Sequence, residues 1–192
     1  MKRYLIIING LGGTGKSEFI KQCNNATKKL NAKIGVEECS TVDYVKEIAT
    51  LCGWDGEKSA EDRVFLSNLK QTLEEWDNVP YKKTMDKIQA LWNEMEWVHC
   101  DYGLVFVNSR EEKDINRFCQ DVNNYGGDAI KVYIDNPRVE NNEVPELLKD
   151  IYDFAANCDY YVENTGSLEQ LFMSAICFMQ DLLKVGEKNE EK

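Results

Sequence analysis

Apolar residues fall along this chain in five short runs, separated by longer stretches with helical periodicity. Tyr4–Ile8, Ala32–Glu37, Gly103–Val107, Ala129–Ile134 and Asp159–Val162 are predicted as strands. The first and third are continuously apolar rather than alternating, the pattern of strands covered on both faces. Helical signals fill the intervals. A helix is predicted from about Gly15 to Lys29. Ser40-Thr41-Val42-Asp43 reads as a capping box for a helix through about Leu51, broken by Gly53-Trp54-Asp55-Gly56. Ser59-Ala60-Glu61-Asp62 is a second box, opening a helix with Val64, Phe65, Leu69, Leu73 and Trp76 at helical spacing. Pro80 marks a break, and a further helix carries Met85, Ile88, Leu91, Trp92 and Met95. Ser109-Arg110-Glu111-Glu112 reads as a third box, for a helix to about Asn123 stopped by Gly126-Gly127. Helices are also predicted over Pro145–Ala155 and Ser167–Leu183, with a polar loop from Asp135 to near Glu143.

Strands alternating with helices predict an α/β fold of three layers, a five-stranded and mainly parallel sheet covered on both faces. No stretch between about residues 41 and 98 reads as a strand, so a helical insertion separates strands 2 and 3. A single domain over residues 1–185 with a charged tail at 186–192 accounts for the whole length. Ligands of such a sheet gather at the carboxyl ends of its strands.

Charge and cysteine content narrow the chemistry. The net charge of −11 argues against a nucleic-acid polymer as partner, because a phosphate backbone needs a basic footprint. Seven cysteines without a C-x-x-C pair, and a single histidine, His99, argue against a zinc site or a disulfide framework. Reduced thiols in a cytoplasmic protein are the expectation. The apolar run after Met1-Lys2-Arg3 is too short for a signal peptide or a membrane span, so no membrane partner is expected. The four tryptophans all lie in the helical insertion and read as core more readily than as stacking platforms.

Candidate chemistry is concentrated after the first strand. Gly10-Leu11-Gly12-Gly13-Thr14-Gly15-Lys16-Ser17 matches the P-loop pattern G-x-x-x-x-G-K-[ST] at every specified position, in the strand–loop–helix context its mechanism requires. Gly10, Gly12, Gly13, Thr14, Gly15, Lys16 and Ser17 are thus the candidate nucleotide-binding set. The loop amides cradle phosphates, Lys16 reaches the outer ones, and the Ser17 hydroxyl is the candidate Mg²⁺ ligand. Strand 3 ends in Val107-Asn108-Ser109-Arg110, without the acidic residue that hydrolysing P-loop proteins usually place there. Arg110 at this edge can aim at an acceptor phosphate or at the phosphoryl group in transfer. Arg63 and Lys70, with Ser67 between them, share one helix face and read equally as an acceptor-phosphate clamp or as a solvated basic edge. Asp43 follows strand 2, where an acceptor would lie, and also fits a helix cap. Arg138, in the loop after strand 4, can reach bound phosphates if that loop closes.

Taken together, these residues resemble the deoxynucleoside monophosphate kinase family of phages and bacteria, whose wider group includes animal-type phosphomevalonate kinase. Three segments carry the likeness: the strand with Gly10–Ser17; the run from Leu104 through Asn108-Ser109-Arg110 to Glu112; and Tyr161 to Leu171, with its Asn164-Thr165-Gly166 turn. The stretch Asp62–Lys70 is similar to the family's acceptor-site helix. Asn108 stands where family members often have Asp, and the loop after strand 4 is short. The resemblance implies a P-loop kinase-like fold, ATP as phosphoryl donor, Mg²⁺, and a small phosphorylated acceptor, most simply a nucleoside monophosphate. It implies Lys16 as the donor-site lysine and Arg110 as an acceptor or transfer-site arginine. Two other readings stay open: a P-loop module or weak ATPase without kinase activity, and a kinase of a non-nucleotide phosphorylated metabolite.

Overall fold

The computed structural model describes residues 1–57, 59–140 and 145–190. Five strands, β1 (Lys2–Asn9), β2 (Ile34–Ser40), β3 (Tyr102–Asn108), β4 (Gly127–Asp135) and β5 (Tyr160–Glu163), form one sheet in the order β2-β3-β1-β4-β5. Every pairing is parallel. The carboxyl ends of all five strands therefore meet at one edge.

β1 lies at the centre, and its continuous apolar run serves both faces. Successive side chains point to opposite sides of a strand. Tyr4, Ile6 and Ile8 join one buried cluster with Phe19, Ile20 and Cys23 of α1 (Lys16–Thr27) and Leu171, Ala175 and Phe178 of α7 (Leu168–Glu190). Leu5 and Ile7 join the other, with residues of α4 (Val79–Trp97), α5 (Glu112–Asp121) and α6 (Pro145–Ala156). Along α4 the buried residues Tyr81, Met85, Ile88, Trp92 and Met95 recur at spacings of four and three, the single stripe of a helix packed on a sheet.

The insertion is helical throughout: α2 (Asp43–Leu51), α3 (Ala60–Asp77) and α4. The Ser59 box forms as expected. Ser59 Oγ accepts from the Asp62 N–H at 3.1 Å, and the Asp62 carboxylate accepts from the Ser59 N–H at 3.0 Å. Asn78, in the left-handed region at φ 50°, ends α3 and lets the chain reverse into α4, whose first turn takes Pro80.

Several local expectations are corrected. The Ser109 box does not form: α5 begins at Glu112, after an extended Glu111, with no side-chain cap bond. At Ser40 the box is partial, the Asp43 carboxylate accepting from the Ser40 N–H at 2.9 Å. Of the four tryptophans only Trp92 is core; Trp76 is 79% and Trp97 84% exposed. α3 buries no residue, so its apolar positions are half-covered or exposed. α7 continues past the expected end at Leu183. The expected end of the polar loop, near Glu143, lies outside the described residues. Among the described residues, no helix is long and apolar enough to cross a membrane, and all seven cysteines are free.

Candidate functional site

The turn from β1 into α1 is built from its own carbonyls and braced by its neighbours. The Asn9 side chain accepts from the Gly10 N–H at 2.7 Å, and Thr14 Oγ1 donates to the Leu11 carbonyl at 3.0 Å. Gly10 (φ 145°) and Gly15 (φ 97°) hold conformations that L side chains rarely adopt. A Cβ on Gly10 would collide with the Ile134 carbonyl, and one on Gly15 with the Asn164 side chain. The turn is thus wedged between the ends of β4 and β5. Asn164 completes the brace: its Nδ2 donates to the Thr14 carbonyl at 2.9 Å, and its N–H to the Asp135 carbonyl at 2.7 Å. Lys16 Nζ crosses the loop and donates to the Gly10 and Leu11 carbonyls, both at 2.8 Å. The result is a concave turn of backbone amides at the amino end of α1, with an ammonium across its mouth, which is an anion cradle.

A carboxylate that sequence reasoning missed stands beside it. Glu38, on β2 opposite Phe106 of β3, accepts at Oε1 from Asn108 Nδ2 at 2.6 Å and from Ser17 Oγ at 3.4 Å. An acidic group therefore does reach the end of β3, from the neighbouring strand, and Asn108 fixes it there. The signal was present in the polar pair Glu37-Glu38 near the end of a short edge strand. It was lost because the strand was expected to stop at Glu37.

A cleft of about 410 Å³ opens next to these groups, between the start of the insertion, α3 and the β3–α5 loop. Lys16, Lys70, Asn108, Ser109, Arg110 and Glu111 line it, with Ser40, Thr41 and Val42 at the β2 end. Arg110 is half-buried. The Ser109 hydroxyl is buried with no hydrogen-bond partner. Lys70 Nζ bonds the Glu111 carboxylate and, at 3.1 Å, that of Glu74. A larger depression of about 610 Å³ opens at the opposite, amino edge of the sheet, beside Lys2, Asp101 and Asp128. It has no anion cradle facing it.

The other candidate residues stand outside the cleft lining. Arg63 is exposed on α3, two turns from Lys70. Asp43 accepts from Lys87 Nζ at 2.9 Å as well as from the Ser40 N–H, tying α2 to α4. The same bond, winning over partial burial, raises the Lys87 pKa. Arg138 is exposed in the loop after β4, its N–H donating to Asn136 Oδ1 at 3.1 Å, beside Val139, which lies near Gly13.

No protein-family model and no curated protein matches the sequence. Solved structures do. The tunicamycin resistance protein of Deinococcus radiodurans superposes with a TM-score of 0.54 and 12% identity, over 93% of this chain and 96% of that one. The fold is a three-layer α/β P-loop fold. Dephospho-CoA kinase from Campylobacter jejuni aligns over 93% of this chain and 97% of its own, at a TM-score of 0.48 and 16% identity. The APS kinase CysC of Mycobacterium tuberculosis aligns over 93% and 98%, at 0.45 and 13%. At such identities the likeness concerns the path of the chain, not its chemistry.

Proposed function

We propose that the protein is an ATP-dependent phosphotransferase acting on a small phosphorylated acceptor, most simply a (deoxy)nucleoside monophosphate. One observation carries the reading: a P-loop and a second, cation-bearing cleft share Lys16 as a common wall, with Arg110 and Lys70 on the far side. The β- and γ-phosphates of ATP lie on the loop amides and Lys16. The acceptor phosphate lies toward Arg110 and Lys70, which places its oxygen to attack the γ-phosphorus. Phosphoryl transfer asks mainly for positioning and for neutralisation of charge in flight, and Arg110 is placed for the second. The Ser17 hydroxyl and Glu38 carboxylate, hard oxygen donors 3.4 Å apart, fit Mg²⁺. When bound, that ion neutralises charge on the β- and γ-phosphates. Arg138, on the loop beside the P-loop, would join them on closure, and Arg63 would extend the acceptor side along α3. Asp43 supports the acceptor side through the β2–α2 turn.

A second acceptor class has its own support. No aromatic ring lines the cleft among the described residues, so a base would find no stacking partner there. That favours a non-nucleotide phosphorylated metabolite as the alternative. The weak-ATPase reading starts from the lack of an acid after β3; Glu38 of β2, bonded to Asn108, brings a carboxylate beside that strand end. Free thiols throughout the described residues fit a cytoplasmic enzyme.

The test is a coupled ADP-release assay over nucleoside monophosphates and small non-nucleotide phosphates. Acceptor-dependent release that disappears in Lys16→Ala supports the kinase and identifies its acceptor class. Slow release indifferent to every acceptor rejects it in favour of the ATPase.

A further inference from the structure

Lys70 faces the acceptor cleft, yet its charge is already engaged. Its side chain is 15% exposed and bonds the carboxylates of Glu111 and Glu74. Lys113 bonds the same two carboxylates from the outside, Glu74 at 2.5 Å and Glu111 at 3.3 Å. Asp114 adds a third carboxylate, 3% exposed, with one oxygen within 4.8 Å of oxygens of the other two. Among the described residues, no hydrogen bond reaches the Asp114 carboxylate. Burial, reinforced by the charge of Glu74, raises its pKa. Three carboxylates and two ammoniums thus cluster around Lys70, more acidic than basic groups beside a cation that an acceptor phosphate would need.

We infer that Glu111 is a resident substitute for the acceptor's anionic group, holding Lys70 until a phosphorylated acceptor displaces it, and that this exchange makes the cleft selective for phosphorylated over neutral acceptors. The inference rests on the acceptor-site reading above. Four observations support it. Glu111 lines the same cleft as Lys70 and Arg110, and its carboxylate bonds the Lys70 ammonium. Lys70 keeps Glu74 at 3.1 Å when Glu111 leaves, and a dianion outcompetes the Glu111 carboxylate for the mostly buried ammonium by charge, whereas a neutral hydroxyl does not. Glu111 has somewhere to go: it is 39% exposed, and Lys113, 57% exposed, already holds its second oxygen. Finally, Ser109 lines the same cleft, and its buried hydroxyl has no hydrogen-bond partner.

The probe is inorganic phosphate, titrated with ADP saturating the P-loop and followed through the amide resonances of residues 109–113. Glu111→Gln is expected to tighten phosphate binding about tenfold without changing ADP affinity, and Glu111→Ser to act in the same direction. Lys70→Ala weakens phosphate binding and abolishes the effect of Glu111→Gln, the signature of a coupled pair. If both Glu111 variants are folded and neither tightens phosphate binding while Lys70→Ala weakens it, the exchange is overturned and the acceptor site stands. If ADP binds but phosphate perturbs none of these resonances, the acceptor-site reading falls and the exchange with it.

Discussion

Lys16 shows how a P-loop ammonium is held by the carbonyls of its own loop. An ammonium that is half-buried needs acceptors, and here the Gly10 and Leu11 carbonyls provide them at 2.8 Å. Both bonds are exchangeable for bonds to phosphate oxygens, which are stronger because they are charge-assisted on both sides. In the proposed reaction Arg110 has the corresponding duty on the acceptor side. Arg110→Ala is expected to lower turnover by about 10³-fold or more while ATP affinity changes little, as measured by steady-state kinetics and calorimetry. Unaltered turnover in the folded variant removes Arg110 from the transfer step. The cluster beside it carries a pH signature of opposing signs. Burial works against the Glu74 charge, but the hydrogen bond from Lys113 and the charge of Lys70 outweigh it and lower the pKa. Its contribution to stability is present above the usual carboxylate range and lost as pH falls through the lowered folded value. For Asp114, whose folded pKa is raised, stability declines as pH rises from the unfolded value through the folded one. Thermal melts of Glu74→Gln should fall below wild type at neutral pH and converge with it in strong acid. Those of Asp114→Asn should gain on wild type between acid and neutral pH.

Elements in this protein differ in how they are held. α4 is anchored by its buried stripe, and Trp92 is its largest member, fully buried, with Nε1 donating to the Gly103 carbonyl at 3.2 Å. Trp92→Ala removes both the ring and that bond, and should cost about 3–5 kcal/mol in denaturant unfolding. α3 has no such anchor. It is held by its cap at Ser59, by half-covered leucines and by the ion pairs of Lys70 with Glu111 of the β3–α5 loop and of Glu74 with Lys113 of α5. It is therefore the element whose position a charged ligand can most readily alter. Ser59→Ala should cost about 0.5–2 kcal/mol, with the loss concentrated in the hydrogen-exchange protection of the first turns of α3.

On the scale of the whole molecule, the strand order brings the P-loop and the lining of the neighbouring cleft together. β1 supplies the P-loop, β3 beside it supplies Asn108 through Glu111, and β2 on the outer edge supplies Glu38. On the other side, β4 and β5 brace the loop through Ile134 and Asn164. In the proposed reading, nucleotide bound at that junction would stabilise the whole sheet edge rather than one loop. Adding ADP with Mg²⁺ at about 100 times its dissociation constant should raise unfolding stability by about 2.7 kcal/mol, and Lys16→Ala should remove most of that gain. A melting temperature indifferent to ADP, ATP and GTP would sink the nucleotide-binding assignment.

Sequence by itself determined the number and direction of strands, the P-loop and the helical nature of the insertion. Each depends on local pattern: continuous apolar runs, helical spacing, and glycines at positions where no other residue fits. The candidate site was legible only where it was contiguous. Lys16, Ser17 and Arg110 could be read from the residues around them, and the Ser59 cap from four consecutive positions. What tertiary structure alone decided is which distant residues meet. Glu38 joins Ser17 and Asn108 because β2 pairs with β3, not β1. Lys70 reaches the cleft and Arg63 does not, although both share a helix face. Trp76 and Trp97 are exposed while Trp92 is core, since periodicity shows that a helix has an apolar side but not how much of it a neighbour will cover. The physical reason is common to all three. Burial and ion pairing depend on through-space distance, which the order of residues constrains only within an element and its immediate turn.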